Sequence, residues 1–210
     1  MSQNNLVYIL DNKVYINLTN RCSNCCIFCL RQDKDDVCGQ NMWLTDEQKI
    51  SADDVIKQFI PLIEKVNSNE VTFCGYGEPT LRFDLLVDVA KYIKQNYKDV
   101  KLKINTNGHA NYIYKRNVVK DLIGLIDIIS VSLNATNSEE YNKLSQPNFE
   151  NAYEEVKKFI KSSSESGIET IATVVDGYKG MRLDIQKCEE ISNSLGARLR
   201  VREWIEQGYS

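Results

Sequence analysis

Residues 13–29, KVYINLTNRCSNCCIFC, decide the fold, because a β-type run leads there directly into a dense group of cysteines. Four cysteines, Cys22, Cys25, Cys26 and Cys29, fall within eight residues. Thiolates are soft ligands that suit iron–sulfur clusters or zinc. Three of these cysteines have the spacing Cys-x3-Cys-x2-Cys. Three thiolates on a four-iron cubane would leave one iron without a protein ligand, so a substrate or cofactor could chelate it.

The composition is that of a globular protein and predicts a single domain over residues 1–210, with 42% hydrophobic and 26% charged residues. A net charge of −3 does not indicate a nucleic-acid binder with a broad basic face. The sequence contains no run of about 18 apolar residues, so no membrane span is predicted. The first residues do not resemble a secretory signal. We therefore expect a cytoplasmic protein, in which seven cysteines are unsuited to a disulfide framework.

β-type and helical stretches alternate along the chain. Segments 6–10 and 13–19 predict a hairpin that turns at Asp11-Asn12. Further strands are predicted at 70–75, 100–105, 126–133, 168–175 and 197–202. Helices are predicted at 52–67, 81–97, 116–125, 138–145, 150–166 and 183–195, the first opened by a Ser51–Asp54 capping box. Six strands joined by helices imply a parallel sheet, either doubly wound or an open barrel, with ligands at the carboxyl ends of its strands.

Polar motifs follow the predicted strand ends. They comprise Gly75-Tyr76-Gly77-Glu78-Pro79, Asn105-Thr106-Asn107-Gly108, the pair Ser132 and Asn134, and Arg200 or Arg202. Glycines let a backbone approach a ligand closely, and Glu78 could order its turn or face an ammonium group. An arginine offers bidentate geometry to a carboxylate. A generic Gly–Pro turn and ordinary capping residues are the alternative interpretation.

The cysteine spacing after the first strand of the sheet resembles the signature of the radical S-adenosylmethionine (SAM) superfamily. The resemblance implies a [4Fe–4S] cluster on Cys22, Cys26 and Cys29, with Phe28 near the adenine of SAM. It also implies that 75–79, which is similar to the Gly-Gly-Glu-Pro motif, holds the methionyl amine. Further SAM contacts are implied at Asn105, Asn107, Ser132, Asn134 and Arg202. With this resemblance, the strand count predicts a partial (open) (β/α)6 TIM-like barrel with a short N-terminal β-hairpin.

The activity implied is reductive cleavage of SAM to a 5′-deoxyadenosyl radical, which takes hydrogen from an unidentified substrate, a small molecule or a protein. An electron donor, flavodoxin or ferredoxin, is implied as well. The stretches NLTNRCSNCCIFCLR, NMWL, FCGYGEPTLR, NTNGHAN and SLNA look like the TatD-linked radical SAM group. The short chain is also similar to 7-carboxy-7-deazaguanine synthase and to the pyruvate formate-lyase activating enzyme.

Other interpretations remain open. The Asn-Thr-Asn-Gly turn is also similar to that of glycyl-radical activases, which act on a partner protein. A zinc-stabilised binding module would use Cys25 or Cys38 as fourth ligand, and three buried core cysteines on one helix face would need no metal. Elsewhere we expect Cys74 and Cys188 to be core residues and His109 to be a solvated loop histidine. Met42 and Trp43 could line a substrate pocket or form a local hydrophobic anchor.

Overall fold

The computed structural model describes residues 4–37 and 39–204, and an α/β fold is built there on one large sheet. The strands of this part of the chain are β1 (Val7–Leu10), β2 (Lys13–Ile16), β3 (Asp36–Val37), β4 (Gln40–Asn41), β5 (Glu70–Phe73), β6 (Lys101–Thr106), β7 (Ile128–Ser132), β8 (Glu169–Asp176) and β9 (Arg198–Glu203). Its α-helices are α1 (Ala52–Ile63), α2 (Phe83–Asn96), α3 (Ala110–Ile113), α4 (Ser138–Ser145), α5 (Ala152–Glu165) and α6 (Ile185–Ser194). Short 3-10 helices occupy Leu30–Gln32, Glu47–Lys49, Pro79–Arg82, Val118–Leu122 and Tyr178–Gly180.

The main sheet has seven strands in the order β1-β2-β5-β6-β7-β8-β9. β1 and β2 form the predicted antiparallel hairpin, and Asp11 and Asn12 have the positive φ angles that its turn needs. From β2 to β9 all neighbours are parallel and follow chain order. A doubly wound sheet reverses its strand order at a switch point. No reversal occurs among the described strands, so the predicted barrel is confirmed.

The sheet curls until its two ends face each other. Tyr15 on β2 and Arg200 on β9 are separated by five strand spacings, about 24 Å in a flat sheet. Burial raises the pKa of Tyr15, yet the charge of Arg200 still opposes that rise. The curl is also seen in the cavity lining, since Cys74 after β5 and Arg202 on β9 border the same cavity. β1 and β9 do not pair with each other, which leaves the barrel open.

The two faces of the sheet differ because side chains alternate along a strand. On β6, Leu102 and Ile104 are fully buried on the outer face. They belong to the main core with Val55 and Phe59 of α1 and residues of the other long helices. α1 begins at Ser51 with the predicted capping box, in which Ser51 and Asp54 bond each other's backbone N–H groups.

The structure differs from the prediction at several places; the short helix α3 was not predicted, and α1 ends at Ile63 instead of 67. The helix predicted at 116–125 is replaced by a 3-10 helix at Val118–Leu122, because the Asn117 side chain accepts from the N–H of Val119 and starts a tighter turn. The small β3–β4 hairpin was not predicted, since its two-residue strands carry no periodicity. No helix in the described ranges is both long and apolar enough to cross a membrane.

Candidate active site

The cysteine loop between Cys22 and Cys29 is irregular, so its thiols do not share the face of a helix. Its backbone is fixed by the end of α4. The N–H of Cys25 donates to the carbonyl of Ser145 at 3.1 Å, and that of Ile27 to Leu144 at 3.0 Å. The shape of the loop therefore depends on residues more than a hundred positions away, because the loop has no secondary structure of its own.

The Gly-Tyr-Gly-Glu-Pro turn packs directly against the start of this loop. The N–H of Glu78 donates to the carbonyl of Arg21 at 2.8 Å. A Cβ at Gly77 would come inside 3.0 Å of the backbone at Thr19 and Arg21, whereas one at Gly75 would collide with the Asn17 side chain. Gly77 is required by this close approach of two backbones, and Gly75 by the Asn17 side chain packed against it.

The Glu78 carboxylate joins two turns of the site. It is 3% exposed. One oxygen accepts from the N–H and hydroxyl of Thr80 at 3.1 and 2.6 Å and from the Thr106 hydroxyl at 2.7 Å, and the other accepts from the N–H of Asn107 at 2.6 Å. Burial raises the pKa of Glu78 and these hydrogen bonds oppose the rise. Glu78 therefore orders its turn, one of the two roles predicted.

A buried chain of hydrogen bonds continues from Asn107 into the cysteine loop. The Asn107 amide donates to the Ser23 hydroxyl at 2.8 Å and lies 3.7 Å from the Cys22 sulfur. Ser23 lies 2.8 Å from Nδ1 of His109, and Nε2 of His109 lies 2.9 Å from the Tyr141 hydroxyl. Because Ser23 accepts from Asn107, its own proton is available to Nδ1, which favours the Nε2–H tautomer of His109.

The expectation of a solvated His109 is wrong, because this side chain is fully buried. Burial lowers the pKa of His109 to about 3, so the imidazole is neutral at physiological pH. The histidine supports the cysteine loop from behind. Its local sequence, an Asn-Gly turn, gave no sign of this role.

The three predicted ligands line one cavity at the carboxyl ends of the strands. Ten other predicted site residues line it as well, namely Phe28, Gly75, Tyr76, Gly77, Glu78, Asn105, Asn107, Ser132, Asn134 and Arg202. Pro79 is buried and begins the 3-10 helix beside the cavity, without lining it. Of the two arginines considered, Arg202 faces the cavity and Arg200 does not line it.

The thiols share a desolvated environment. Burial, followed by the charge of Glu78, raises the pKa of Cys22 to about 11. Burial and then the neighbouring Cys29 and Cys22 raise the pKa of Cys26 to about 12. Buried thiolates need a compensating positive charge, and a metal centre supplies one. The soft donors and their surroundings therefore fit an iron–sulfur cluster.

In the described part of the chain, no three His, Cys, Asp or Glu side chains converge as ligands of one metal ion. A single zinc ion would gather its sulfur ligands about 2.3 Å from one point. A cubane takes each thiolate at a different iron, so its ligands stand further apart. The three cysteines do not have to converge on one point to hold a cluster.

Several cavity residues were not predicted. They are Asn24, Leu30, Cys74, Thr106, Thr173, Val175, Glu203 and Trp204. Cys74 was expected in the core, and this is wrong: β5 ends at Phe73, so Cys74 lies beyond the strand. Thr173 and Val175 alternate along β8, and that period could have revealed them. Trp204 packs on Tyr178 with ring centroids 5.0 Å apart, a contact no local pattern shows.

The remaining cysteines and the hydrophobic pair have separate surroundings. Cys188 is fully buried in the core, as predicted, and Cys25 is exposed outside the cavity lining. Cys38 lies outside the described residues. Met42 is fully buried in a small cluster with Tyr8, Val37 and Tyr76, so it forms the local anchor. Trp43 packs on Tyr76 and stays 37% exposed.

Comparison with known proteins places the chain in a family. Residues 16–193 match the model of the Radical SAM superfamily, so the chain belongs to that superfamily. Its members are enzymes that use a [4Fe–4S] cluster and SAM, so cluster and SAM are the cofactors of this fold.

A probable GTP 3′,8-cyclase of Saccharolobus islandicus is 31% identical over 182 residues, which are 86% of this chain and 53% of that protein. The counterpart in Saccharolobus solfataricus is 29% identical over the same shares. The chain thus spans about half the length of these curated relatives.

Solved structures show the same fold. SuiB of Streptococcus suis bound to S-adenosylmethionine has a TM-score of 0.65 at 19% identity, covering 93% of this chain and 41% of SuiB. Native anSMEcpe with bound AdoMet has a TM-score of 0.59 at 16% identity, with shares of 93% and 52%.

Proposed function

We propose that this chain is the catalytic core of a radical SAM enzyme in which Cys22, Cys26 and Cys29 hold the cluster. One observation carries the proposal: these three thiols and the Gly-Tyr-Gly-Glu-Pro turn border one cavity at the carboxyl end of the sheet. Cys25, which interrupts the motif, is exposed outside that cavity. When bound, the cluster and SAM supply a one-electron cleavage that yields methionine and a 5′-deoxyadenosyl radical, which takes a hydrogen atom from the substrate.

The chain's own residues bind, orient and exclude water. Asn107 and Ser23 hold the strand-end turn against Cys22, and the neutral His109 closes the network from behind. Phe28 offers an aromatic ring to the adenine and forms a T-shaped contact with Tyr178, with 6.1 Å between ring centroids. Arg202 is the residue of the cavity suited to a carboxylate. No acid or base is needed at the reacting carbon, because the cofactors carry that chemistry.

The test begins with anaerobic reconstitution by iron and sulfide. We expect about four irons and four sulfides per chain, as a cubane requires. With SAM and dithionite, the reconstituted protein should release 5′-deoxyadenosine. Cys22→Ala, Cys26→Ala and Cys29→Ala should each abolish the release and lower the iron content.

Cys25→Ala is the matched control, since it removes a thiol from the same loop without touching the cavity. It should keep both iron content and cleavage. Equal damage from Cys25→Ala would refute the ligand assignment. A colourless protein that holds one zinc would refute the proposal as a whole.

Within the superfamily we propose the TatD-linked group, on the similarity of the stretches around the cysteines and the strand ends. We further propose a single domain over residues 1–210, a cytoplasmic location, and flavodoxin or ferredoxin as electron donor. Reduction by purified flavodoxin and its reductase, in place of dithionite, tests the donor. Failure of both flavodoxin and ferredoxin to support 5′-deoxyadenosine release would contradict that choice.

A further inference from the structure

The concave face of the sheet continues below the cavity toward the amino ends of the strands. Asn105 on β6 and Arg202 on β9 line the cavity, so residues two positions earlier on each strand point to the same face. These are Lys103 and Arg200. Each lies one pleat repeat, about 6.6 Å, below its cavity residue.

This lower layer carries an excess of positive charge. Lys13 pairs with Glu70 at 2.9 Å, which accounts for one cation and one anion. In the described ranges, the Lys103 ammonium and the Arg200 guanidinium make no hydrogen bond and no ion pair within 4.0 Å. Lys13, Lys103 and Arg200 thus share the carboxylate of Glu70, which leaves a net positive charge on this layer; Lys103 is partly buried and Arg200 is exposed.

Lys103 and Arg200 lie below Asn105 and Arg202, which line one cavity, so they share one side of the curled sheet. The directions of the pKa shifts agree with this placement. Burial lowers the pKa of Lys103; Glu70 opposes this change, while Arg200 and Lys13 add to it. Glu70 also responds to Lys13, Lys103 and Arg200, which together outweigh its burial and lower its pKa. Lys103 and Arg200 thus repel each other across the concave face, although three strand spacings separate β6 from β9.

We propose that this lower layer, formed by Lys103 and Arg200 with Lys13 and Glu70 beside them, is a binding site for a phosphate group. The net charge of two cations matches a dianionic phosphate ester. Arginine and lysine are the side chains that hold phosphate, the first by a planar fork and the second as a point charge. The site adjoins the cavity, so the phosphate of a ligand could rest there while its remainder extends upward. The inference does not depend on SAM cleavage.

The experiment measures thermal unfolding of the anaerobically purified chain against inorganic phosphate, at ionic strength held constant with sodium chloride. A ligand that binds the native state raises the melting temperature in a saturable manner. We expect that rise in the wild type. Lys103→Met and Arg200→Gln should each weaken phosphate binding about tenfold or more, since each removes a charge-assisted contact.

Lys91→Met on the exposed side of α2 is the matched control and should keep the wild-type phosphate response. Lys103→Met should melt at or above the wild-type temperature without phosphate, because it removes a partly buried cation that Arg200 and Lys13 repel. That signature separates lost binding from poor folding.

No rise in the wild type, or the same rise in all three variants, would overturn the proposal. A larger rise with malonate than with phosphate would assign the site to dicarboxylates and overturn the phosphate class. Release of 5′-deoxyadenosine by Lys103→Met reports on the proposed SAM chemistry separately, so the two hypotheses can fail independently.

Discussion

The two ends of the concave face differ in how their polar and charged groups are satisfied. At the carboxyl end, the buried Glu78 carboxylate accepts four hydrogen bonds, and the neutral His109 has a partner at each ring nitrogen. At the amino end, Lys103 and Arg200 make no hydrogen bond or ion pair within 4.0 Å in the described ranges, and together with Lys13 they share the carboxylate of Glu70. Glu78 and His109 lie in turns beyond the strand ends, whereas Lys103 and Arg200 lie within β6 and β9.

This difference indicates that the two ends have different roles. Satisfied polar groups in a low-dielectric site fix geometry, and a loop without secondary structure needs such fixing to hold three thiols in place. Excess charge of one sign does not fix geometry, and it raises the free energy of the native state until a counter-charge binds. The upper end is thus a scaffold for the cofactors, and the lower end is a receptor for an anion.

The largest effect is expected from Glu78→Gln, which breaks the scaffold end. The glutamine oxygen can replace one carboxylate oxygen, but its NH2 group then faces the N–H of Asn107, leaving a buried donor without an acceptor. We expect a loss of about 3 kcal/mol in the free energy of unfolding, measured by urea denaturation of the protein without cluster. Glu189→Gln, at an exposed position of α6, should change stability by less than about 0.5 kcal/mol. Equal stability of the two variants would contradict the role given to Glu78.

A pair of glycine substitutions sharpens the picture of the scaffold. Gly77→Ala places a methyl group against backbone atoms of Thr19 and Arg21, whereas Gly75→Ala meets the side chain of Asn17. Backbone cannot yield as a side chain can, so Gly77→Ala should lose about 2 to 3 kcal/mol and Gly75→Ala less. The same denaturation measurement ranks them. A larger loss of unfolding free energy in Gly75→Ala than in Gly77→Ala would contradict the close backbone contact between this turn and the segment before Cys22.

The smallest of the scaffold effects is the pH response of His109, the single histidine of the chain. Its folded pKa of about 3 lies below the unfolded value of 6.5, so the unfolded state binds the proton first as pH falls. The stabilising contribution is complete above pH 6.5 and is lost as pH falls toward 3. Between pH 6.5 and 5 the loss should reach roughly 2 kcal/mol.

Glu78, whose pKa burial raises, acts in the opposite direction as pH falls, so the part of the slope due to His109 is the difference between the wild type and His109→Gln. Urea unfolding at pH 7, 6 and 5 measures it, and His109→Gln should flatten it. A slope that persists in His109→Gln would place the titrating group elsewhere.

The secondary structure and the cysteine motif could be predicted from short stretches of sequence. The burial of individual site residues could not, because it depends on contacts between distant parts of the chain. The Asp11-Asn12 turn, the Ser51–Asp54 capping box and the strand–helix alternation act within a few residues, so they could be predicted. The cysteine spacing likewise needs only eight neighbouring positions. By contrast, the burial of His109 depends on Ser23 and Tyr141, far away in the chain.

The cavity wall shows the same division. Strand ends carrying Asn105 and Ser132 were predicted to meet because parallel strands end at one edge. Trp204 follows the last strand and lines the cavity, and it packs against Tyr178. Neither residue belongs to a sequence pattern that predicts this contact. The net positive charge formed by Lys103, Arg200 and Lys13 around Glu70 could not be predicted from the sequence, because it depends on the curl of the sheet.

The most direct test of the central claim is the electron paramagnetic resonance spectrum of the dithionite-reduced, reconstituted Cys25→Ala protein, recorded with and without SAM. With three cysteine ligands, one iron is open to SAM, so adding SAM should change the signal of the reduced cluster. A spectrum that SAM leaves unchanged would contradict the account, because the cluster would then have no open iron in this cavity.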